Sequence, residues 1–235
     1  MCSPRPRLRA LILSLGLLLA AGPPAQAAPI TFDFGGTVTS VDPALAGSFA
    51  VSQSLTGSFT YESTSLPSSP GGGNYFTALT ALSFTVGTYS ASFLGPLPPP
   101  SQDLKISVIN LPGLDIFNVS AVTTDGLTGP PAAGFAFSGF FFSLQDNTGT
   151  VFSSTALPTS LSLSSFDFPV FTLEFLDLDD NEFAVEGTVT SLTLVPPTGG
   201  GNGGNGGAPP IPEPSTVVLL GSGLAGLAVW KRRRA

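Results

Sequence analysis

The 235-residue chain is long enough for one domain with a sizeable core, and only 10% of its residues are charged, against about 25% in an average soluble protein. Its net charge is −7, and Lys105 is the only basic residue between Ala28 and Pro210, so the body would repel a phosphate backbone and nucleic acid is excluded as a partner. Histidine is absent and Cys2 is the single cysteine, which excludes disulfides and any metal site that needs imidazole or thiolate in the body.

The amino terminus, residues 1–27, has the three parts of a secretory signal peptide. Arginines at positions 5, 7 and 9 precede an apolar run from Ala10 to Ala21, and small residues follow at Ala25 and Ala27. The run is too short for the roughly 20 apolar residues that span a bilayer, which disfavours an uncleaved anchor. We expect export through the Sec machinery and cleavage by signal peptidase between Ala27 and Ala28.

The body, residues 28–197, alternates apolar and polar residues as β-strands do. Apolar residues occupy even positions in one run, namely Ile30, Phe32, Phe34 and Val38. They occupy odd positions in the next run, namely Phe49, Val51, Leu55, Phe59 and Tyr61. Residues 82–93 predict two strands around Gly87, and residues 140–154 predict a hairpin that turns at positions 146–149. Apolar positions from 171 to 175 are matched by others from 183 to 189, and no stretch has a sustained helical period.

Proline- and glycine-rich turns separate these runs at residues 65–74, 95–102 and 126–134. About eight to eleven short strands with such loops predict a mainly β protein, a single antiparallel β-sandwich or jelly-roll-like domain with a phenylalanine-rich core. The pentapeptide GTVTS occurs at residues 36–40 and again at 187–191, and pairing of the first and last strands would explain the repeat. The alternation breaks between Val189 and Leu192, which predicts a β-bulge.

The densest polar cluster of the body is LDLDDNEF at residues 176–183. Asp177, Asp179 and Asn181 carry side-chain oxygens at alternate positions, as the start of a calcium-binding loop does. The glycine and the final glutamate of such a loop are missing, because Glu182 and Thr188 stand in their places. An acidic turn between two strands is the simpler interpretation, since aspartate and asparagine favour turns.

Catalysis has few candidate residues. Without histidine or cysteine in the body, a nucleophile would depend on Lys105 as its base, or two carboxylates such as Glu174 and Glu186 would act as in a glycosidase. Sugar binding would need an exposed aromatic side chain, and Tyr75 is the best candidate because it follows a proline- and glycine-rich stretch. We expect no enzymatic activity and no cofactor.

A flexible linker rich in glycine, asparagine and proline, residues 198–210, joins the body to an apolar segment at residues 216–230. Four basic residues end the segment: Lys231, Arg232, Arg233 and Arg234. At about 1.5 Å per residue the segment is short for a hydrocarbon core of about 30 Å, so it predicts a marginal transmembrane helix. Because basic flanks stay on the cytoplasmic side, the body would lie outside the cytoplasm.

Pro212, Glu213 and Pro214 stand directly before this segment. In order and spacing, the tripeptide, the apolar segment and the basic cluster closely resemble the PEP-CTERM sorting signal of exported bacterial proteins, over residues 211–235. The resemblance implies cleavage near the tripeptide by an exosortase, a membrane enzyme of bacteria that make exopolysaccharide. The prolines suit this role, because they keep the backbone extended and accessible to a protease. A permanent carboxy-terminal anchor is the alternative.

These observations predict a non-catalytic exported protein at the inner membrane, with its body outside the cytoplasm, and then at the cell surface or in the extracellular matrix after processing. The exosortase, the membrane and exopolysaccharide are its expected partners. The alternatives are a carbohydrate- or calcium-binding module at the cell surface and a carboxylate-based hydrolase.

Overall fold

A computed structural model of the chain describes residues 29–94 and 104–196. The predicted signal peptide, the linker and the sorting segment lie outside these residues. No helix in the described ranges is long and apolar enough to cross a membrane.

The described residues form ten β-strands and three short 3-10 helices, and they contain no α-helix. The strands are β1 (Pro29–Val41), β2 (Ser54–Glu62), β3 (Asn74–Tyr75), β4 (Leu79–Val86), β5 (Tyr89–Leu94), β6 (Lys105–Leu111), β7 (Leu114–Val122), β8 (Ala136–Asp146), β9 (Phe168–Leu176) and β10 (Glu182–Val195). The 3-10 helices are Pro43–Leu45, Thr123–Asp125 and Leu163–Ser165. The predicted β class is confirmed.

All ten strands belong to one antiparallel sheet in the order β3-β6-β7-β8-β9-β10-β1-β2-β4-β5. The finer prediction, a sandwich or jelly-roll of separate sheets, is not confirmed, because hydrogen bonds join the strands without a break. Alternation along a strand predicts which side chains are buried, and it carries no information on whether their strands form one sheet or two.

The sheet curls until the two halves of one face, the inner face, pack against each other. The ring centroids of Phe84 on β4 and Phe140 on β8 are 4.4 Å apart, and those of Phe34 on β1 and Phe140 are 5.9 Å apart. Phe59 on β2 lies 6.0 Å from Phe117 on β7. None of these strands are neighbours in the sheet order. Burial of these large rings, with favourable ring–ring geometry, therefore holds the curl closed.

The opposite, outer face carries mainly hydroxyl side chains on β1, β2 and β4. Thr31 and Thr60 place their Oγ1 atoms 2.8 Å apart across β1 and β2, and Ser58 and Ser83 place their Oγ atoms 3.3 Å apart across β2 and β4. Such cross-strand pairs stabilise a sheet modestly and hold its register.

The two copies of GTVTS pair with each other, as predicted. In the β1–β10 pair, Gly36 lies opposite Val189 and Val38 lies opposite Gly187. The register shifts where Thr190 is inserted between the partners of Gly35 and Gly36, which confirms the predicted bulge. First and last strands of the domain are therefore neighbours.

The two glycines of the repeat make room for one aromatic ring. A Cβ atom at Gly187 would lie 2.3 Å from Cε1 of Phe171, and one at Gly36 would lie 3.1 Å from the same atom. Phe171 is buried. Glycine at these two positions therefore leaves room for the Phe171 ring against β1 and β10.

The hairpin predicted over residues 140–154 is wrong. Strand β8 ends at Asp146, its two partners are β7 and β9, and the next strand begins at Phe168. The Asp146 carboxylate accepts hydrogen bonds from the Thr148 and Thr150 amides, which folds the chain into a loop instead of a returning strand. The pairs predicted around Gly87 and across residues 171–189 are confirmed as β4–β5 and β9–β10.

Candidate functional site

The residues predicted for sorting and processing lie outside the described residues. These are Ala25, Ala27 and Ala28 at the signal peptidase site, Pro212, Glu213 and Pro214 in the sorting motif, and Lys231, Arg232, Arg233 and Arg234 behind the apolar segment. The described domain contains the remaining candidates.

The acidic segment is a tight turn between β9 and β10. Asp177 Oδ1 accepts hydrogen bonds from the Asp179 amide at 2.8 Å and the Asn181 amide at 2.9 Å, and its Oδ2 accepts from Asn181 Nδ2 at 2.8 Å. The Asn181 side chain and the two amides lower the pKa of Asp177, because each stabilises the carboxylate. Asp180 has φ +60°, a left-handed conformation that aspartate tolerates in turns.

The hydrogen bonds of Asp177 stabilise the turn between β9 and β10. Both oxygens of Asp177 are engaged within the segment itself, and the described ranges hold no group of three or more histidine, cysteine or acidic residues arranged for a metal ion. Asp179 is exposed and contributes its backbone amide to the turn.

Glu174 and Glu186 lie on the outer face of neighbouring strands. Glu174 is opposite Ala184 and Glu186 is opposite Thr172, so the two glutamates are diagonal neighbours. Burial raises the pKa of Glu174, and the negative charge of Glu182 raises it further. Glu186 is exposed. The two carboxyl groups project in the same direction from one sheet face, whereas a glycosidase holds its substrate between two opposed carboxyl groups.

Tyrosine offers no exposed surface for stacking a sugar, and the prediction for Tyr75 is wrong. Tyr75 is only 3% exposed, because β3 pairs with β6, and its hydroxyl donates a hydrogen bond to the Thr155 carbonyl at 2.7 Å. The Tyr61 hydroxyl donates to the Pro158 carbonyl. Both tyrosines hold the long loop before β9, and their role is structural.

The outer face also forms a shallow groove of about 720 Å³ over β2, β4 and β5. Residues 128–130 wall it on one side, where Thr128 and Ser92 exchange backbone hydrogen bonds of 2.9 Å each. Asp33 supplies its only carboxylate among the lining residues. The hydroxyl groups come from Thr56, Ser58, Ser83, Thr85, Ser90, Ser92 and Thr128. Sequence reasoning missed this groove, because its residues come from strands that are distant along the chain.

Comparison with known proteins identifies only the tail. No curated protein and no solved structure matches the chain. The model of the PEP-CTERM protein-sorting motif matches residues 210–234 at the carboxyl end, which begins one residue before the predicted boundary. This motif indicates a sorting signal recognised by an exosortase, and it implies export through a membrane-anchored intermediate. The chain therefore carries a PEP-CTERM protein-sorting motif at its carboxyl end, with an exosortase as the implied processing partner.

Proposed function

We propose that this chain is a non-catalytic exported protein whose tail is removed by an exosortase. Removal of the tail leaves the acidic β domain at the cell surface or in the extracellular matrix of a bacterium that makes exopolysaccharide. The observation that carries the proposal is the sorting motif at residues 210–234. The charge distribution supports it, because the basic cluster at residues 231–234 stays cytoplasmic while the acidic body is exported.

The chemistry of the domain supports a role without catalysis. Lys105 is the only lysine of the body. It lies opposite Ser120 in the β6–β7 pair, and it does not line the groove on β2, β4 and β5. Glu174 and Glu186 project side by side from one open face, where no arrangement holds a substrate between them. A stable, hydroxyl-covered and acidic domain suits a matrix component, because its net negative charge favours solubility.

The mass of the released protein tests processing. We expect the extracellular form to begin at Ala28 and to end near the Pro-Glu-Pro tripeptide, so that residues 215–235 are missing. Intact-mass spectrometry of culture supernatant and of the membrane fraction measures both ends. An extracellular species that retains residues 215–235 would refute removal of the tail. A strain without its exosortase serves as the control, and the longer form should accumulate there in the membrane.

Carbohydrate binding is a second candidate function, favoured by the groove over β2, β4 and β5. Its hydroxyl groups and the exposed Asp33 carboxylate offer the donors and acceptors that sugar hydroxyls require. Exopolysaccharide purified from the producing bacterium should raise the melting temperature of the wild-type protein. Asp33→Asn should reduce that shift, and Asp179→Asn, in the exposed turn, should keep it. An unchanged wild-type melting temperature at saturating polysaccharide would exclude this function.

A further inference from the structure

Two buried carboxylates face each other at one end of the sheet. Asp115 on β7 and Asp146 on β8 are directly opposite in the strand pair, and they are 0% and 3% exposed. Asp115 is in phase with the buried Phe117, and Asp146 is in phase with the buried Leu144, so both side chains point to the inner face. Directly opposite residues have Cβ atoms about 4.5–5.5 Å apart, so the two carboxyl groups lie close together.

Both carboxylates hold the loop that follows β8. Asp146 Oδ1 accepts hydrogen bonds from the Thr148 amide at 2.8 Å and from Thr148 Oγ1 at 2.7 Å, and Oδ2 accepts from the Thr150 amide at 2.9 Å. Three donors of the loop therefore converge on the Asp146 carboxylate.

Asp115 uses only one of its oxygens in this way. Its Oδ2 accepts hydrogen bonds from the Val151 amide at 2.8 Å and the Phe152 amide at 2.7 Å. Its Oδ1 is buried and has no hydrogen-bond partner. A buried oxygen without a partner is costly, and it costs more when a second carboxylate is its neighbour.

Among the described residues, no basic side chain lies beside these carboxyl groups. Lys105 is the only basic residue of the body, and it lies at the far end of β6, five positions from Asn110, the residue opposite Asp115. At about 3.4 Å per residue this separation is roughly 17 Å, beyond the reach of a direct ion pair. The pair therefore has no ion-pair partner among the described basic residues.

Three neighbouring residues, Asn110, Thr148 and Thr150, carry further side-chain oxygen atoms. Asn110 on β6 lies directly opposite Asp115, and so belongs to the same face of the sheet. The hydroxyl oxygens of Thr148 and Thr150 are 2.8 Å apart, and both residues are exposed, so the pair lies just beneath the surface. Carboxylate, amide and hydroxyl oxygens without nitrogen or sulfur are the ligands of a hard cation.

We propose that one calcium ion binds beside Asp115 and Asp146, beneath the loop that starts at Asn147. The unpartnered Asp115 Oδ1 is its direct ligand, and Asp146, whose oxygens already accept hydrogen bonds from the loop, supplies the second neighbouring carboxyl group. Calcium fits better than magnesium, because it accepts irregular sets of six to eight oxygens and loses its water more readily. Two carboxylates place the dissociation constant in the range of extracellular calcium modules, about 10⁻⁴ to 10⁻³ M. The site is separate from the acidic turn at residues 177–181, and the inference goes beyond the proposed function because it does not depend on removal of the tail.

Titration of the full-length chain in detergent, after treatment with a chelator, tests the site. Calcium chloride should raise the melting temperature by several degrees, with half the effect between about 0.1 and 1 mM. Magnesium chloride should have a much smaller effect. Asp115→Asn keeps the shape of the side chain and removes its charge, and it should abolish the calcium shift. Asp179→Asn is the matched control and should keep the full shift.

If Asp115→Asn does not fold, calorimetric titration with calcium chloride tests the site in the proteins that do fold. The wild type and Asp179→Asn should then each bind one calcium ion per chain. Absence of binding in the wild type at about ten times the expected dissociation constant would overturn the proposal. Loss of binding in Asp179→Asn, or an unchanged shift in a folded Asp115→Asn protein, would overturn it as well, since calcium would then bind elsewhere.

Discussion

Replacing Gly187 with alanine is expected to reduce the free energy of unfolding by about 3 kcal/mol, the upper part of the range for overpacked cores. The new Cβ would lie 2.3 Å from Cε1 and Cζ of Phe171 and 2.4 Å from the Thr37 carbonyl oxygen. Phe171 is only 1% exposed, and the carbonyl belongs to the central strand β1, so neither can move without disturbing the core. Equilibrium unfolding in denaturant measures the effect.

Gly47→Ala is the matched control. No atom lies within 4 Å of a Cβ at that position, so we expect a change within about 0.5 kcal/mol. In the double variant Phe171→Leu with Gly187→Ala, the smaller leucine side chain should relieve part of the clash. The double variant should therefore lose less free energy of unfolding than the two single variants lose together. A Gly187→Ala protein as stable as the wild type would contradict the close packing of Phe171 on β10.

Replacing Pro212, Glu213 and Pro214 together with alanines is expected to block release of the domain. Alanine favours helix and proline breaks it, so the substitution should extend the helix predicted for residues 216–230 through the site where we expect the exosortase to cleave. The uncleaved chain should accumulate in the membrane fraction, with a mass that includes the whole tail. The melting temperature of the domain should not change, since all ten described strands lie between residues 29 and 195 and the substituted positions are 212–214.

A control variant separates the motif from its surroundings. Pro209 lies just before residues 210–234, which match the sorting motif. The Pro209→Ala variant should therefore be processed like the wild type. An alanine variant of the tripeptide that is released with the wild-type mass would show that cleavage does not depend on these three residues.

Local alternation in the sequence predicted much of the sheet. The strands around Gly87, the β9–β10 pair, the contact of the two GTVTS copies and the bulge after Val189 all follow from apolar spacing and from a repeat. These features are local, or they are marked by identical sequence. Buried rings such as Phe34 were predicted for the same reason, because their positions alternate with hydroxyl residues.

The curl of the sheet and the burial of Tyr75 could not be predicted from local alternation. Both depend on contacts between residues far apart in the chain, such as Phe59 with Phe117 and β3 with β6. The loop after β8 was predicted as a strand because Val151 and Phe152 are apolar. In the fold their amides bind the buried Asp115 carboxylate, a partner more than thirty positions earlier.

The two aspartates of the candidate calcium site are distant in the sequence, so no acidic cluster in the sequence marks the site. In the acidic cluster at residues 177–181, both oxygens of Asp177 accept hydrogen bonds from within the turn. Asp115 and Asp146 each stand alone among uncharged neighbours, and both are buried in the fold. Only the β7–β8 register brings them together.

The position of the last strand also determines when the domain can fold. In the sheet order, β10 lies between β9 and β1, so strands β3 and β6–β9 are joined to β1, β2, β4 and β5 only through it. Before residues 182–195 are available, the chain can form two partial sheets with exposed phenylalanines, and it cannot close the core. A chain that emerges amino terminus first would therefore complete its core only after nearly the whole domain has emerged.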